Sequence, residues 1–193
     1  MADQDTQASE PEQGGAPDPS QLFPFPLDDF QLEAIDALNQ GHSVVVSAPT
    51  GSGKTLIGEY AIHRAMAHGQ KVFYTTPLKA LSNQKLRDFR EQFGAENVGL
   101  MTGDLSVNRD ASIVVMTTEI FRNMLYAEAD EHDDPLADVE AVVLDECHYM
   151  NDSQRGTVWE ESIIHSPPPV QLVALSATVA NAGQLTDWIE KVH

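Results

Sequence analysis

The chain has 193 residues, with 11 Lys and Arg against 30 Asp and Glu for a formal charge of −19, and a single cysteine. One cysteine excludes a disulfide within the chain and fits a reducing compartment. No apolar stretch is long enough to read as a membrane span, and a charge of this sign argues, taken in bulk, against a nucleic-acid partner.

Residues 1–21 are rich in Gln, Pro, Gly, Ser and acids and are expected to form a disordered acidic tail. They lack the basic start and apolar core of a secretion signal, so a soluble, cytoplasmic protein is expected. Phe23 and Phe25 come next, ahead of a segment in which Ile35 and Leu38 supply the apolar stripe of a helix. Gln31, at the start of that helix, carries a donor and an acceptor that suit the edge of adenine, and either Phe suits stacking on its ring. Two plainer readings stand beside these: Gln31 as an exposed residue opening the helix, and the Phe pair as a hydrophobic staple against it.

The apolar run Val44-Val45-Val46 reads as a strand and leads into Ala48-Pro49-Thr50-Gly51-Ser52-Gly53-Lys54-Thr55, after which a helical pattern begins. Strand, glycine-rich turn and helix make a loop that holds phosphates. Gly51 and Gly53 let the backbone turn tightly and bring its N–H groups, with those of Thr50 and Ser52, toward an anion, and the helix adds the positive end of its dipole. Lys54 reaches the outer phosphates and Thr55 offers its hydroxyl to Mg2+. Ala48 replaces the first glycine of the usual pattern, but the phosphate-facing positions are kept.

Further apolar runs lie near 71–75, 98–101, 113–116, 141–144 and 171–175 and alternate with helical stretches. From Leu22 to the end this predicts one domain, an α/β fold with a doubly wound, mostly parallel sheet and helices on both faces. Between Met124 and Asp138 the acidic segment 128–135 reads as an exposed loop. The run 141–144 ends in Asp145-Glu146-Cys147-His148. Carboxylates at the C-terminal end of a buried parallel strand sit where open α/β sheets bind ligands. Asp145 is placed to hold magnesium on ATP, and Glu146 to orient or deprotonate the attacking water. Cys147, inside this box, reads as a buried thiol rather than a reactive one. His63 and His68 are five apart rather than four, and no cysteine pair exists, so structural zinc is not expected.

Taken in order, Phe23-Pro24-Phe25 with Phe30-Gln31, the phosphate loop, residues 75–84 (Thr75 to Gln84), Thr102-Gly103-Asp104, Met116-Thr117-Thr118-Glu119, the Asp145 to His148 box and Ser176-Ala177-Thr178 resemble the first motor domain of superfamily-two DExH-box helicases. The set is most similar to the superkiller-type RNA helicases, to which residues 155–161 (Arg155 to Glu161) also point. The resemblance implies a RecA-like P-loop NTPase fold, ATP and Mg2+ as cofactors, and Gln31 as the selector of adenine. It implies Lys54, Asp145, Glu146 and His148 as the catalytic set and a single nucleic-acid strand, RNA rather than DNA, as partner. It also implies that Pro77, Lys79, Asn83, Thr102, Gly103 and Thr117 meet the strand's phosphates, while Ser176 and Thr178 couple strand binding to the nucleotide through His148.

The distribution of charge makes room for such a strand. Residues 1–27 hold five acids and 127–140 hold seven, with no Lys or Arg in either, whereas eight of the eleven bases lie between Arg64 and Arg122. A local groove is then neutral or positive on an acidic molecule. Arg122 follows Glu119 by one helical turn and reads equally as an intrahelical ion pair. Motors of this kind close ATP between two RecA-like domains, the second bringing an arginine worth about 10³ to 10⁵ in rate. The chain stops at His193, soon after the coupling motif, so the expectation is a fragment that binds ATP, barely turns it over, and needs a second motor domain.

Overall fold

A computed structural model describes residues 15–126, 134–148, 156–178, 183 and 186–189. Residues 1–14 of the expected tail, most of the expected acidic loop, Arg155 and much of the helix expected over 181–192 lie outside the described residues. Among the described residues no helix is long and apolar enough to cross a membrane.

The six apolar runs become six parallel strands: β1 (Val44–Ser47), β2 (Lys71–Thr76), β3 (Val98–Thr102), β5 (Ile113–Thr117), β6 (Val139–Leu144) and β7 (Gln171–Ser176). A short β4 (Leu105–Val107), absent from the sequence expectation, returns antiparallel on β3 through the two-residue turn Gly103-Asp104. Its three residues are all exposed and show no apolar run, and the turn itself was the only cue. The sheet order is β1-β7-β6-β2-β5-β3-β4.

Alternation along each strand feeds two cores. Val72, Tyr74, Ile113, Val115, Ala141, Val143, Val173 and Leu175 face one side, where α2 (Asp29–Asn39), α3 (Thr55–Ala67) and α4 (Lys79–Phe93) pack. Phe73, Val114, Met116, Val142, Leu144, Leu172 and Ala174 face the other, with α5 (Thr118–Tyr126) and α6 (Gly156–Ile164) supplying Phe121, Trp159 and Ile163. Burial on both faces is why these strands read as continuous apolar runs rather than alternating ones. Helix α3 comes closest to the sheet at Gly58, where an added Cβ would lie 3.2 Å from both the Tyr74 ring and a Val143 methyl. Gly58→Leu is therefore expected to overpack this contact and cost about 1–3 kcal/mol, seen as a lower denaturant midpoint. A midpoint equal to that of the parent would show that α3 does not sit this close.

Two details depart from the sequence expectation. The tail expected to run loose to residue 21 includes α1 (Pro19–Leu22), whose N-terminus is capped by the Asp18 carboxylate accepting from the Ser20 N–H at 2.9 Å. The Pro17 carbonyl also accepts from the buried Tyr60 hydroxyl at 3.1 Å. A polar composition hid a Pro-initiated, Asp-capped turn. The charge count shifts as well, because Glu140, grouped with the acidic loop, lies in β6 and pairs with Arg64 at 2.5 Å. Arg64 is buried and also reaches the Leu38 carbonyl and the Gln171 side chain, while His68 Nδ1 lies 2.8 Å from the second Glu140 oxygen. This network ties α2 and α3 to the starts of β6 and β7, at the opposite end of the sheet from the phosphate loop, so Arg64 adds nothing to a strand-binding groove.

Candidate nucleotide site and strand-binding rim

The turn after β1 is anchored by the Ala48 N–H, which donates to the Ser176 carbonyl at the end of β7 at 3.2 Å. Gly51 and Gly53 both hold φ of +84°, a left-handed conformation that a Cβ would strain. Lys54, 6% exposed, stands at the head of α3, and Thr55 is the first residue of that helix. The Ser52 hydroxyl is buried without a hydrogen-bond partner among the described residues, an orphan donor inside the turn. The Leu56 and Ile57 N–H groups already donate to the Gly53 and Lys54 carbonyls at 3.2 and 3.1 Å, so it is that orphan, with the positive end of the α3 dipole, that makes the turn a fit for phosphate oxygens.

Gln31 is not the exposed helix opener that the sequence left open. It is 4% exposed; its Nε2 donates to the Gly53 carbonyl at 3.0 Å, and its Oε1 accepts from the Asp28 N–H at 2.9 Å, completing a capping box. A Cβ at Gly53 would lie only 2.8 Å from that amide nitrogen. An amide has two hydrogens and two lone pairs, so these two bonds leave half its capacity for an adenine edge. The Phe pair divides its two readings: Phe23 is buried in the core, and Phe25, 53% exposed, has its ring centroid 6.1 Å away. Phe23 is the staple and Phe25 offers the open aromatic face. Thr50 is exposed on the loop.

The acidic corner follows β6. The Asp145 N–H donates to the Thr75 carbonyl at 3.0 Å, extending the β6 and β2 pairing by one step. Asp145 is 5% exposed, and each carboxylate oxygen has a donor: the Glu146 N–H at 2.9 Å and the Tyr74 hydroxyl at 2.8 Å. Full burial, and then the neighbouring Asp145 charge, push the Tyr74 hydroxyl well above its ordinary range, so it stays a donor. Lys85, from α4, places Nζ over the Tyr74 and Phe89 rings at 5.3 and 5.6 Å and 3.9 Å from Asp145 Oδ2. Glu146 takes φ of +57°, and its carboxylate lies 3.2 Å from His148 Nδ1. Left-handed backbone at a non-glycine residue costs about 1–3 kcal/mol and gathers at functional sites. Burial pushes the Cys147 thiol up to about 12, which makes it a core residue and not a nucleophile.

Across the edge, β7 lies between β1 and β6, so the phosphate turn and the acidic corner share one side of the sheet with a single strand between them. Strand spacing puts them roughly 10 Å apart. The end of β7 touches both, since Ser176 holds the turn through its carbonyl and Ala177 donates its N–H to His148 Nδ1 at 3.2 Å. The sequence reading gave this link to the hydroxyls of Ser176 and Thr178; Ser176 Oγ donates to the Ala177 carbonyl at 2.8 Å, and Thr178 is exposed.

The expected strand contacts gather on the ends of β2, β5 and β3, which are neighbours. Thr76 pairs in register with Thr117, and Pro77, Asn83 and Thr117 are half-buried while Gly103 is exposed. The Thr76 hydroxyl is turned inward onto Ser82 Oγ at 2.7 Å, which removes it from the rim. Lys79 and Thr102 both point at Asp104: Lys79 Nζ lies 2.6 and 2.5 Å from its two oxygens, and Thr102 Oγ1 donates at 3.1 Å. Arg122 pairs across to Glu161 on α6 at 3.5 Å rather than with Glu119. The sequence reading missed Tyr74, Lys85, Ala177 and the partner role of Asp104. Tyr74 sits in an apolar run and reads as core, and Ala177 acts through its backbone; only Asp104, inside the Thr102-Gly103-Asp104 motif, and Lys85, directly after residues 75–84, left a signal.

Comparison with known proteins supplies a family and a fold. A family model described as DEAD/DEAH box helicase matches residues 28–185. The chain is 58% identical over 174 residues to the DExH-box ATP-dependent RNA helicase DExH15, chloroplastic, of Arabidopsis thaliana, covering 89% of this chain and 15% of that protein. It is 52% identical over 173 residues to the antiviral helicase SKI2 of Saccharomyces cerevisiae, covering 90% and 13%. The chain thus spans less than a fifth of the length of these curated relatives. Among solved structures, the Mycobacterium smegmatis helicase Lhr bound to ssDNA and AMP-PNP superposes with a TM-score of 0.65 at 30% identity, over 83% of this chain and 24% of that one. The DUF1998 helicase MrfA bound to DNA shares the fold, with a TM-score of 0.70 at 20% identity, over 86% and 26%.

Proposed function

Because this chain belongs to the DEAD/DEAH box helicase family, we propose that it is the ATP-binding half of an ATP-dependent RNA helicase and that it works with a second RecA-like domain. The observation that carries the reading is the shared edge: the phosphate turn, the Asp145 to His148 corner and the end of β7 that touches both. Lys54, the turn's N–H groups and the Ser52 hydroxyl hold the phosphates, and Gln31 and Phe25 meet the base. Thr55 and Asp145 hold magnesium, which when bound supplies positive charge to the outer phosphates. Glu146 is the base that orients water, with its carboxylate positioned against His148. Pro77, Lys79, Asn83, Thr102, Gly103 and Thr117 grip the backbone of a single strand without reading its bases. RNA is favoured by the Arabidopsis relative, an RNA helicase at 58% identity.

Steady-state ATPase tests this, with the chain alone and supplied with a second motor domain, each with and without single-stranded RNA or DNA. Little turnover by the chain alone, and RNA-stimulated turnover once the second domain is present, is the expected result. Stimulation by DNA and not RNA would reassign the strand. Tight ATP-dependent strand binding with no stimulated turnover would make the chain a stand-alone nucleotide-dependent binding module.

A further inference from the structure

The strand-binding rim contains its own anion. Lys79, at the start of α4, and Asp104, in the turn between β3 and β4, are 51% and 68% exposed in their side chains and meet with both carboxylate oxygens within 2.6 Å of the ammonium. Thr102 Oγ1 donates to the same carboxylate. Two of the side chains expected to meet a phosphate thus converge on one carboxylate, which copies the charge and the acceptor geometry of a phosphate oxygen pair. The Lys79 hydrogen bond, followed by that from Thr102, holds the Asp104 carboxyl below its ordinary range.

We propose that Asp104 is an affinity-setting residue of the strand site, an internal competitor that occupies Lys79 and Thr102 until a backbone phosphate displaces it. This rests on the strand-binding reading above and deepens it. The consequence is a weaker and less salt-sensitive grip. The cations that a phosphate contact releases come from the strand, and the displaced Asp104 carboxylate attracts a cation in turn, so this contact adds less to the salt dependence than one made by a free lysine. Such a contact forms and breaks easily, which suits a rim that must let a strand slide past. The carboxylate also lies beside the chain's only basic residue among the six rim positions, so removing it changes the charge of the whole rim.

The test is fluorescence anisotropy with a labelled 20-nucleotide oligouridylate, in RNA and deoxyribose forms, from 50 to 200 mM salt. It compares the full chain with Asp104→Asn, Lys79→Ala and the double variant. Asp104→Asn should bind both strands roughly two- to fivefold more tightly at low salt, as expected for release of an exposed ion pair. It should also steepen the slope of log affinity against log salt by about 0.7, the value for one added phosphate contact on a single strand. On the Lys79→Ala background the same substitution should have no such effect on the slope. Equal or weaker binding by Asp104→Asn, with the parent chain binding normally, overturns the proposal and leaves strand binding intact. A loss confined to RNA overturns it too, in favour of a carboxylate that accepts from the ribose hydroxyl. No binding by parent or variant brings down the strand reading and this proposal together.

Discussion

Glu146→Gln should leave ATP affinity nearly unchanged and slow hydrolysis about 10²- to 10⁴-fold, the usual contribution of a positioned general base. The measurement is steady-state turnover in a polypeptide that includes a second motor domain, alongside nucleotide titration. The substitution keeps shape and hydrogen-bonding reach and removes only the ability to take a proton. Glu146 is well suited to show the distinction, since its carboxylate is not among the groups that hold the phosphate turn. Its contact is with His148 Nδ1 at 3.2 Å, and its strained φ of +57° aims it there. One ring nitrogen serves one of the two at a time, accepting from the Ala177 N–H at 3.2 Å or donating to the Glu146 carboxylate, so the amide replacement still leaves His148 its partner at the end of β7. Turnover at the parent rate would remove Glu146 as the base and return the strained turn to a purely structural role.

Lys54→Ala should weaken ATP binding by roughly 10- to 150-fold, the loss expected when a charge-assisted hydrogen bond is deleted from a desolvated site. A fluorescent ATP analogue titrated against the variant gives the number, and a thermal melt shows whether it is folded. The lysine is 6% exposed at the head of α3, beside the orphan Ser52 hydroxyl and two glycines in left-handed backbone. Each of these features belongs to a concave anion site, and the ammonium is the only full positive charge in the turn. Unchanged affinity in a folded variant would mean that nucleotide binds elsewhere.

The layers of the fold were legible because burial on both faces writes itself as apolar runs, and Val44 to Val46, Val142 to Leu144 and Leu172 to Leu175 needed no tertiary information. β4 was not legible, because a three-residue exposed strand has no hydrophobic signature. The phosphate turn was readable since its chemistry depends on residue types at fixed offsets. Gln31 was only half readable: its position was clear, but its burial and its bond to Gly53 depend on how α2 packs on the turn. Charge was the least legible property. Counting bases along the chain cannot tell that Arg64 is neutralised by Glu140 across 76 positions, or that Lys79 is neutralised by Asp104 across 25. Ala177 illustrates the same limit, because a backbone donor has no letter in the sequence.

The donors around Asp145 come from three separate places: the Glu146 backbone, the Tyr74 hydroxyl in β2, and Lys85 in α4, whose ammonium rests on the Tyr74 ring. Helix α4 begins at Lys79, on the rim, and reaches Lys85 less than two turns later. Under the strand binding proposed above, a strand that shifts the head of this helix would also shift the cation leaning on the tyrosine that steadies Asp145. Six residues of α4 would then serve as a lever between rim and acidic corner, in parallel with the proposed path through β7 and His148.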